Sequence, residues 1–246
     1  VTVEIDGVRH TRCYSVCSAA GPGRRFQLAV RAQPQGRVSQ HLFTTAHVGM
    51  VVGLTPAGGS FVLPDQRPAR ILLVSGGSGI TPVLSMLRTL CAEGHDRPVA
   101  FLHYAPNPDT MLFRRELAEL AATHSWLTVL TAFDDGTGDL RGLLDGEHLA
   151  AADGRWREAD AFVCGPEPLM AAVRSRYEAA GAAERFHHEA FTLPAFVGEA
   201  GVVGGTVRFG ASGLDVANDG RPLLELAEAA GLTPVHGCRM GICHTC

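Results

Sequence analysis

Four apolar runs alternate with helix-like segments between residues 71 and 180, and this alternation constrains the fold more than any other feature of the chain. The runs are ILLVS at 71–75, VAFLHY at 99–104, LTVLTAF at 127–133 and DAFVCG at 160–165, and the helical patterns cover Pro82–Cys91, Met111–Ala122 and Pro168–Ala180. Strands buried on both faces read as continuous apolar runs. The pattern therefore predicts a parallel, doubly wound α/β sheet within residues 67–192, with Phe186–Phe191 as its last strand.

The segments before and after this unit have a different pattern. Residues 1–66 contain short alternating or β-branched runs at Val1–Ile5, Val8–Cys17, Phe26–Ala32 and Val48–Leu54, separated by turn residues such as Asp6-Gly7. They predict an antiparallel β unit that forms part of a barrel. Residues 193–205 predict a linker, and strands at Thr206–Phe209 and Leu214–Val216 begin a third domain at 206–246. Because the chain opens on Val1 and stops on Cys246 inside a motif, we expect an internal fragment of a longer protein.

Composition excludes several classes of protein. The 246 residues are 46 % apolar and 19 % charged, with a net charge of −4. These values exclude a disordered or fibrous chain, and the charge is too small and too dispersed for a nucleic-acid surface. No apolar stretch approaches the roughly 20 residues that span a bilayer, and the start of the chain lacks the pattern of a signal peptide. We therefore expect no nucleic-acid partner, no membrane span and a cytoplasmic location.

The first motif that carries chemistry is Gly76-Gly77-Ser78-Gly79-Ile80-Thr81-Pro82, which lies between an apolar strand and a helix. Glycines allow a sharp turn and close approach of the backbone to a phosphate, while a helix N-terminus supplies N–H groups and positive potential. A dinucleotide pyrophosphate fits this chemistry. Glycines required only for steric reasons are the alternative, and the motif differs from GxGxxG.

Three shorter patterns are informative only in combination. Cys164-Gly165-Pro166 ends a later strand of the same sheet, where open α/β folds place ligand contacts, although Cys164 taken singly favours a small buried side chain over a reactive thiol. Alternation puts Arg12 and Tyr14 on one strand face, which suits a ligand with a phosphate and a flat ring, or forms only a cation–π pair. The segment from Gly36 to Ser39 either presents N–H groups to a phosphate or caps an ordinary helix.

The cysteines at the end of the chain indicate a metal site. Cys238, Cys243 and Cys246 have the spacing C-x4-C-x2-C of plant-type [2Fe–2S] sites, in which a fourth cysteine lies farther along the chain. A zinc site completed by His236 or His244 is the alternative. The small and apolar residues between the cysteines favour the iron–sulfur cluster.

In this order, the motifs RxYS, GxxS, GGxGITP and CGPxxxM resemble those of the ferredoxin-NADP reductase superfamily, in its bacterial oxygenase- and desaturase-reductase branch. The resemblance implies an N-terminally truncated β barrel for the flavin, an α/β nucleotide domain and a partial α+β (β-grasp) ferredoxin domain. It also implies Ser15 near the flavin N5 and Cys164 beside the nicotinamide as the catalytic side chains. The implied FAD ligands are Arg12, Tyr14, Ser15, Gly36, Val38 and Ser39, and the implied nucleotide ligands are Gly77, Gly79, Thr81, Pro82, Cys164, Gly165 and Pro166.

The family further implies an electron path from NAD(P)H through FAD and a [2Fe–2S] cluster to a separate oxygenase, hydroxylase or desaturase. Three alternatives compete with this reading. One is a stand-alone flavin reductase or diaphorase, the second is the reductase portion of a flavohaemoglobin-like nitric oxide dioxygenase, and the third is a non-catalytic scaffold. Residues 206–246 argue against the second alternative, and intact ligand motifs argue against the third.

The strand VAFLHY at 99–104 bears on the choice of nucleotide. It ends without the acidic residue that would accept the ribose hydroxyls of NADH, and the first acid after it is Asp109. Arg114 and Arg115 follow on the next helix, where a guanidinium could bind a 2′-phosphate. The alternative is that both arginines pair with Glu116 and Glu119 on the helix surface. We favour NADPH, with Arg114 as its ligand.

Overall fold

The computed structural model describes residues 1–21, 25–191 and 203–234. Its strands are β1 Thr2–Ile5, β2 Val8–Thr11, β3 Ile71–Gly76, β4 Val99–Ala105, β5 Leu127–Phe133, β6 Asp160–Cys164, β7 Phe186–Glu189, β8 Thr206–Phe209 and β9 Leu214–Ala217. Its α-helices are α1 Arg37–Thr45, α2 Ile80–Ala92, α3 Arg114–Thr123, α4 Gly146–Ala152, α5 Glu167–Ala179 and α6 Leu223–Ala229. The contacts divide the chain into two units. The first comprises Val1–Cys13, Val51–Leu54 and the described residues from 203 on, and the second comprises Tyr14–Met50 and Thr55–Phe191.

The first unit contains two hairpins. Strands β1 and β2 pair antiparallel around the predicted turn Asp6-Gly7, where both residues have positive φ (54° and 76°). Such a turn matches the twist of the strands that it joins. Strands β8 and β9 form the second hairpin, and helix α6 follows them. The strands predicted after residue 206 are thus confirmed in position.

The β unit predicted for residues 1–66 has fewer strands than its sequence pattern indicated. The predicted strand Val8–Cys17 ends at Thr11, because β1 offers partners to only four of its residues. The runs Phe26–Ala32 and Val48–Leu54 form single bridges, Val16 to Leu28 and Thr2 to Gly53, in place of strands. Gly49, at φ 95°, turns the backbone within the second run. Alternation gives these runs strand propensity, but a ladder also needs a neighbouring strand along its length.

A parallel sheet organises the second unit, as predicted. Its strand order is β5-β4-β3-β6-β7, and all four pairings are parallel. Every residue of β3 is buried. Ile71 and Leu73 pack into a core with α2 and α3 on one face, whereas Leu72 and Val74 pack with α4 and α5 on the other. The doubly wound arrangement is therefore confirmed, with each fully buried aliphatic side chain contributing about 2 kcal/mol of transfer free energy.

Helix α4 was not predicted. It begins after Asp145, whose carboxylate accepts hydrogen bonds from the N–H groups of Glu147 and His148. This side-chain cap stabilises a helix that is only seven residues long. In the described part of the chain, no helix has the length and apolar character needed to cross a membrane.

Candidate functional site

The order of the strands places a crevice above β3 and β6. From β3 the chain moves outward to β4 and β5, then returns to the other side of β3 for β6 and β7. In open α/β sheets, ligands bind beyond the carboxyl ends of the strands at this reversal point. The loop after β3 contains Gly77 and Gly79, and the loop after β6 contains Gly165 and Pro166. The structure therefore brings the two predicted nucleotide motifs to the same edge of the sheet.

Three glycines allow these two loops to pack backbone against backbone. A Cβ atom on Gly79 would overlap the carbonyl group of Cys164 and lie 2.8 Å from the amide nitrogen of Gly165. A Cβ on Gly165 would lie 2.9 Å from the amide nitrogen of Gly76, and one on Gly76 would lie 2.7 Å from Pro166 Cδ. The steric alternative stated for the glycine loop therefore fits Gly76 and Gly79, and Gly165 meets the same requirement. Because these residues have no side chain, the loops after β3 and β6 can lie in contact and form the two halves of the candidate site.

Gly77 has a different role from these three glycines. Its φ is 54°, in the left-handed region that favours glycine, and no atom lies within 4 Å of the position of a Cβ. The backbone at Gly77 is therefore open on the side where a side chain would stand. This open position fits the close approach of a phosphate group.

The start of α2 supplies the electrostatic part of the site. Gly79 precedes the helix and provides no side-chain cap, while Thr81 donates its hydroxyl to the carbonyl of Ser78 at 3.1 Å. Thr81 and Pro82 are buried and stabilise the first turn. The helical backbone begins one turn earlier, in the 3-10 turn Gly77–Gly79, where Gly76 also provides no side-chain cap and the N–H of Ile80 bonds back to the carbonyl of Gly77. The N–H groups at the start of this turn and the helix dipole suit an anion. The residues present thus fit the pyrophosphate of a dinucleotide, with the backbone of the loop as its ligand.

Cys164, predicted to be catalytic, is fully buried at the end of β6. Burial raises the pKa of its thiol, and the neighbouring carboxylate of Glu189 raises it further. Cys164 lies in register with Ser75 on one side and Glu189 on the other. Because the thiolate is the nucleophilic form of cysteine, this thiol provides a small neutral packing group below the crevice, without nucleophilic reactivity.

Glu189 is a candidate residue that the sequence motifs missed. Ser15 of the predicted flavin motif donates its hydroxyl to Glu189 Oε2 at 3.2 Å. Burial raises the pKa of this carboxyl group, although the hydrogen bond from Ser15 opposes the shift. Its position could have identified it, because it is an acidic residue at the carboxyl end of β7, in register with Cys164. Ser15 and Glu189 therefore form a hydrogen-bonded pair at the edge of the sheet, and Glu189 lies in register with Cys164.

His103 lies beneath this edge on β4. Its imidazole Nδ1 is 2.8 Å from the hydroxyl of Ser75, and no partner among the described residues reaches its buried Nε2. Burial lowers its pKa to about 4. The folded pKa is thus below that of an unfolded histidine, so as the pH falls the unfolded chain binds this proton first. The contribution of neutral His103 to the unfolding free energy is therefore complete above about pH 6.5 and is lost as the pH falls towards 4.

We expect the His103→Gln variant to be less sensitive to acid than the wild type. Between pH 7 and pH 5, the wild type should lose about 2 kcal/mol more unfolding free energy than the variant, because only the wild type carries this titration. Urea unfolding at each pH measures the difference. His47→Gln, which replaces an exposed imidazole, is the control. Parallel stability curves for the wild type and His103→Gln would contradict the assignment.

The predicted flavin residues are distributed over both units. In the first unit, Arg12 Nη1 donates to the carbonyl of Thr11 at 2.7 Å. Tyr14 and Ser15 belong to the second unit, and both are half-buried. Each side chain keeps some accessible surface for a ligand. Their joint role in flavin binding stays a prediction.

The segment around Gly36 forms the start of α1, as predicted. Gly36 provides no side-chain cap, and a Cβ on it would overlap Ser39 Oγ. The Ser39 hydroxyl donates to the carbonyl of Gly36 at 3.0 Å and accepts from the amide of Gln33 at 3.1 Å. Val38 is buried beside it. Ser39 therefore fixes the shape of the loop, and the backbone of the first turn is the part that suits a phosphate.

The structure revises the pairing expected for the arginines of α3. Arg115 pairs with Glu119 at 3.4 Å, as the surface alternative stated. Glu116, however, binds Arg88 of α2. Arg114 is exposed in the first turn of α3, and no ion pair to it is recorded among the described residues. Its guanidinium remains a candidate ligand for a phosphate.

The predicted metal ligands Cys238, Cys243 and Cys246 lie outside the described residues. Within residues 1–21, 25–191 and 203–234, no group of three or more histidine, cysteine, aspartate or glutamate side chains is arranged to hold a metal ion. The [2Fe–2S] prediction therefore rests on the cysteine spacing.

Comparison with known proteins identifies the family. The oxidoreductase FAD-binding domain matches residues 1–62, and the oxidoreductase NAD-binding domain matches residues 73–175. The glycine betaine monooxygenase reductase subunit of Pseudomonas aeruginosa is 30 % identical over 267 residues, which cover 99 % of this chain and 73 % of that protein. The chain belongs to the ferredoxin-NADP reductase superfamily. It contains an oxidoreductase FAD-binding domain and an oxidoreductase NAD-binding domain.

Other members of the superfamily are also similar. The NADPH oxidoreductase of Mycobacterium tuberculosis is 39 % identical over 246 residues, and the match covers 98 % of this chain and 63 % of that protein. The chain thus spans less than two thirds of the length of this relative. The solved structure of phthalate dioxygenase reductase superposes with a TM-score of 0.69 at 27 % identity, over 100 % of this chain and 73 % of that one. The flavin-barrel and parallel-sheet classes of the two predicted domains are supported by these matches.

Proposed function

We propose that this chain is the flavin and nucleotide portion of an NADPH-dependent reductase that supplies electrons to an oxygenase, hydroxylase or desaturase. The hydrogen bond between Ser15 and Glu189 carries the proposal. It places a residue of the flavin motif at the carboxyl edge of the sheet, where the two glycine loops form the nucleotide crevice. This contact supports a flavin ring that is held by Ser15 beside the nicotinamide, as direct hydride transfer requires.

The chain's residues have distinct roles in this proposal. The backbone at Gly77 and the N-terminus of α2 bind the dinucleotide pyrophosphate, and the loop after β6 limits the nicotinamide position. Arg12 and the first turn of α1 bind the FAD phosphates, and Tyr14 packs against the flavin ring. FAD, when bound, accepts a hydride from the reduced nicotinamide and releases electrons singly. Ser15 presents its hydroxyl to the ring, and Glu189 holds that hydroxyl in place.

Two features support a [2Fe–2S] centre at the end of the chain. The donor set C-x4-C-x2-C consists of thiolates, the ligands that such clusters use. The structurally similar phthalate dioxygenase reductase is described as transferring electrons from pyridine nucleotides to [2Fe–2S]. We propose the same acceptor here, with the β8–β9 hairpin and α6 as the start of its domain. Iron and sulfide in the full-length protein would support it, and their absence would favour a stand-alone flavin reductase or diaphorase.

The experiment that tests the reductase proposal is anaerobic. The chain is loaded with FAD and mixed with NADPH, and the flavin absorbance is followed. Rapid bleaching that saturates with NADPH is expected. Failure of an FAD-loaded chain to bleach would overturn the proposal, and FMN in place of FAD in the natural protein would overturn the flavin assignment.

NADPH is expected to be preferred to NADH, with Arg114 as the reason. The guanidinium is exposed where α3 begins, and a charge-assisted bond to the 2′-phosphate contributes about 1.5–3 kcal/mol. Arg114→Ala should therefore lower the NADPH to NADH ratio of kcat/KM about 10- to 150-fold. Arg115→Ala is the control, because Arg115 pairs with Glu119. Equal or better use of NADH, or an unchanged ratio in Arg114→Ala, would contradict this assignment.

A further inference from the structure

One face of helix α2 binds the backbone that follows the flavin motif. Ser85 donates its hydroxyl to the carbonyl of Ser18 at 2.7 Å, and Thr89 Oγ1 accepts from the amide of Ala20 at 2.9 Å. Arg88 Nη1 donates to the carbonyl of Cys17. Residues 85, 88 and 89 share one helix face, so the three contacts form a continuous interface with the segment Cys17–Ala20.

Arg88 is fixed by more partners than the other two residues. Its Nε and Nη2 atoms donate to the two carboxylate oxygens of Glu116 on α3, each at 2.6 Å. Its guanidinium also lies 5.2 Å from the centroid of the Phe113 ring. The planar guanidinium can make a two-pronged ion pair and a separate carbonyl bond at the same time, whereas a lysine ammonium cannot reproduce this geometry. Arg88 therefore connects α2, α3 and the flavin segment.

Helix α2 is also the element that connects the two cofactor sites. It begins at Ile80, directly after the nucleotide loop, and Cys17 follows Ser15 by two residues. With a rise of 1.5 Å per residue, Arg88 lies about 12 Å along the axis from Ile80. A packed helix is rigid over this length. The position of the flavin segment on α2 therefore determines its distance from the nucleotide loop.

We propose that Arg88 is a positioning residue that sets the separation between the flavin and the nicotinamide. The proposal rests on the reductase function proposed above. Hydride transfer requires the reacting atoms about 3–3.5 Å apart, and an error of about 1 Å can cost 100-fold in rate. Arg88 contacts neither the RxYS motif nor the glycine loop, although it contacts Phe113 and Glu116 on either side of Arg114. Its loss should therefore slow hydride transfer and leave the affinities for FAD and for a nucleotide without the 2′-phosphate largely unchanged.

The test uses Arg88→Met in the full-length, FAD-loaded protein. Stopped-flow reduction by NADPH should give a limiting rate constant about 10- to 100-fold below that of the wild type. The FAD content and the dissociation constant for NAD⁺, which lacks the 2′-phosphate assigned to Arg114, should stay within about twofold of the wild type. Arg155→Met is the control, since Arg155 forms an exposed ion pair with Glu158 elsewhere in the unit. If NADPH failed to reduce the wild-type protein, the reductase function itself would be refuted. Failure of the reductase proposal is thus distinguished from failure of the Arg88 proposal.

Two further variants test the same contacts and keep the Arg88 side chain, so they remain informative if Arg88→Met folds poorly. Ser85→Ala removes one hydrogen bond to the flavin segment and should lower the limiting rate by a smaller factor. Glu116→Gln weakens the pair with α3 but retains the Arg88 bond to Cys17, so its rate should exceed that of Arg88→Met. A limiting rate equal to that of the wild type in a folded Arg88→Met protein would overturn the proposal. Equal losses of rate and of nucleotide affinity would also overturn it, since they would indicate a general structural role.

Discussion

Gly79→Ala is expected to reduce kcat/KM for NADPH about 100-fold, because a misplacement of about 1 Å at the reacting centre has that effect. The added Cβ would overlap the carbonyl group of Cys164, which is backbone and cannot rotate away. The loops after β3 and β6 must then separate. FAD content should be retained, because the predicted FAD ligands lie outside these two loops.

Gly154→Ala provides the matched control for this substitution. A Cβ at Gly154 meets no atom within 4 Å, so the variant makes the same chemical change without a clash. Stopped-flow kinetics and thermal unfolding of both variants separate loss of the site from loss of the fold. A Gly79→Ala protein with kcat/KM within a factor of about 3 of the wild type, less than 1 kcal/mol, would contradict the close packing of the loops.

Cys243→Ser in the full-length protein is expected to abolish one-electron delivery to a protein acceptor. Serine at a position of the proposed cluster would remove one of its thiolate ligands, and the cluster would be lost. Reduction of ferricyanide from FAD should remain nearly intact, because that reaction does not need the cluster. Cys238→Ser and Cys246→Ser should behave alike.

Cys91→Ser is the control for the cysteine series, since Cys91 lies on α2 outside the motif. Iron content, the visible spectrum and both activities are measured for each variant. Simultaneous loss of both activities would show that the motif cysteines hold the fold and not the electron path. If the protein contained zinc and no iron, a zinc site would replace the [2Fe–2S] assignment.

The sequence pattern predicted the strands of the parallel sheet well and the extents of the strands in the β unit poorly, for a physical reason. Runs such as ILLVS are buried on both faces, and a continuous apolar run in the local sequence is enough to predict this burial. The run Phe26–Ala32 has strand alternation, but only Leu28 is bridged, because a strand also depends on distant partners that no local pattern specifies. The turn Asp6-Gly7 was predictable, since two positive φ values favour those residues.

The candidate site shows the same division between local and distant information. The glycine loop and Cys164-Gly165-Pro166 were predictable because turn chemistry is local. Glu189 was missed because its partner Ser15 lies 174 residues away in the chain. Arg88 was missed because its contacts join three separated segments, and nothing in its own helix distinguishes it from a surface arginine.

The central claim is that the dinucleotide and the flavin bind next to each other at the carboxyl edge of the sheet. The most direct measurement is the anaerobic bleaching of bound FAD by NADPH carrying deuterium at one or the other face of nicotinamide C4. Deuterium on one face alone should slow the bleaching, because one face of the ring meets the flavin directly. Bleaching that is insensitive to deuterium on both faces, even in a single turnover with saturating NADPH, would contradict direct transfer between the two sites.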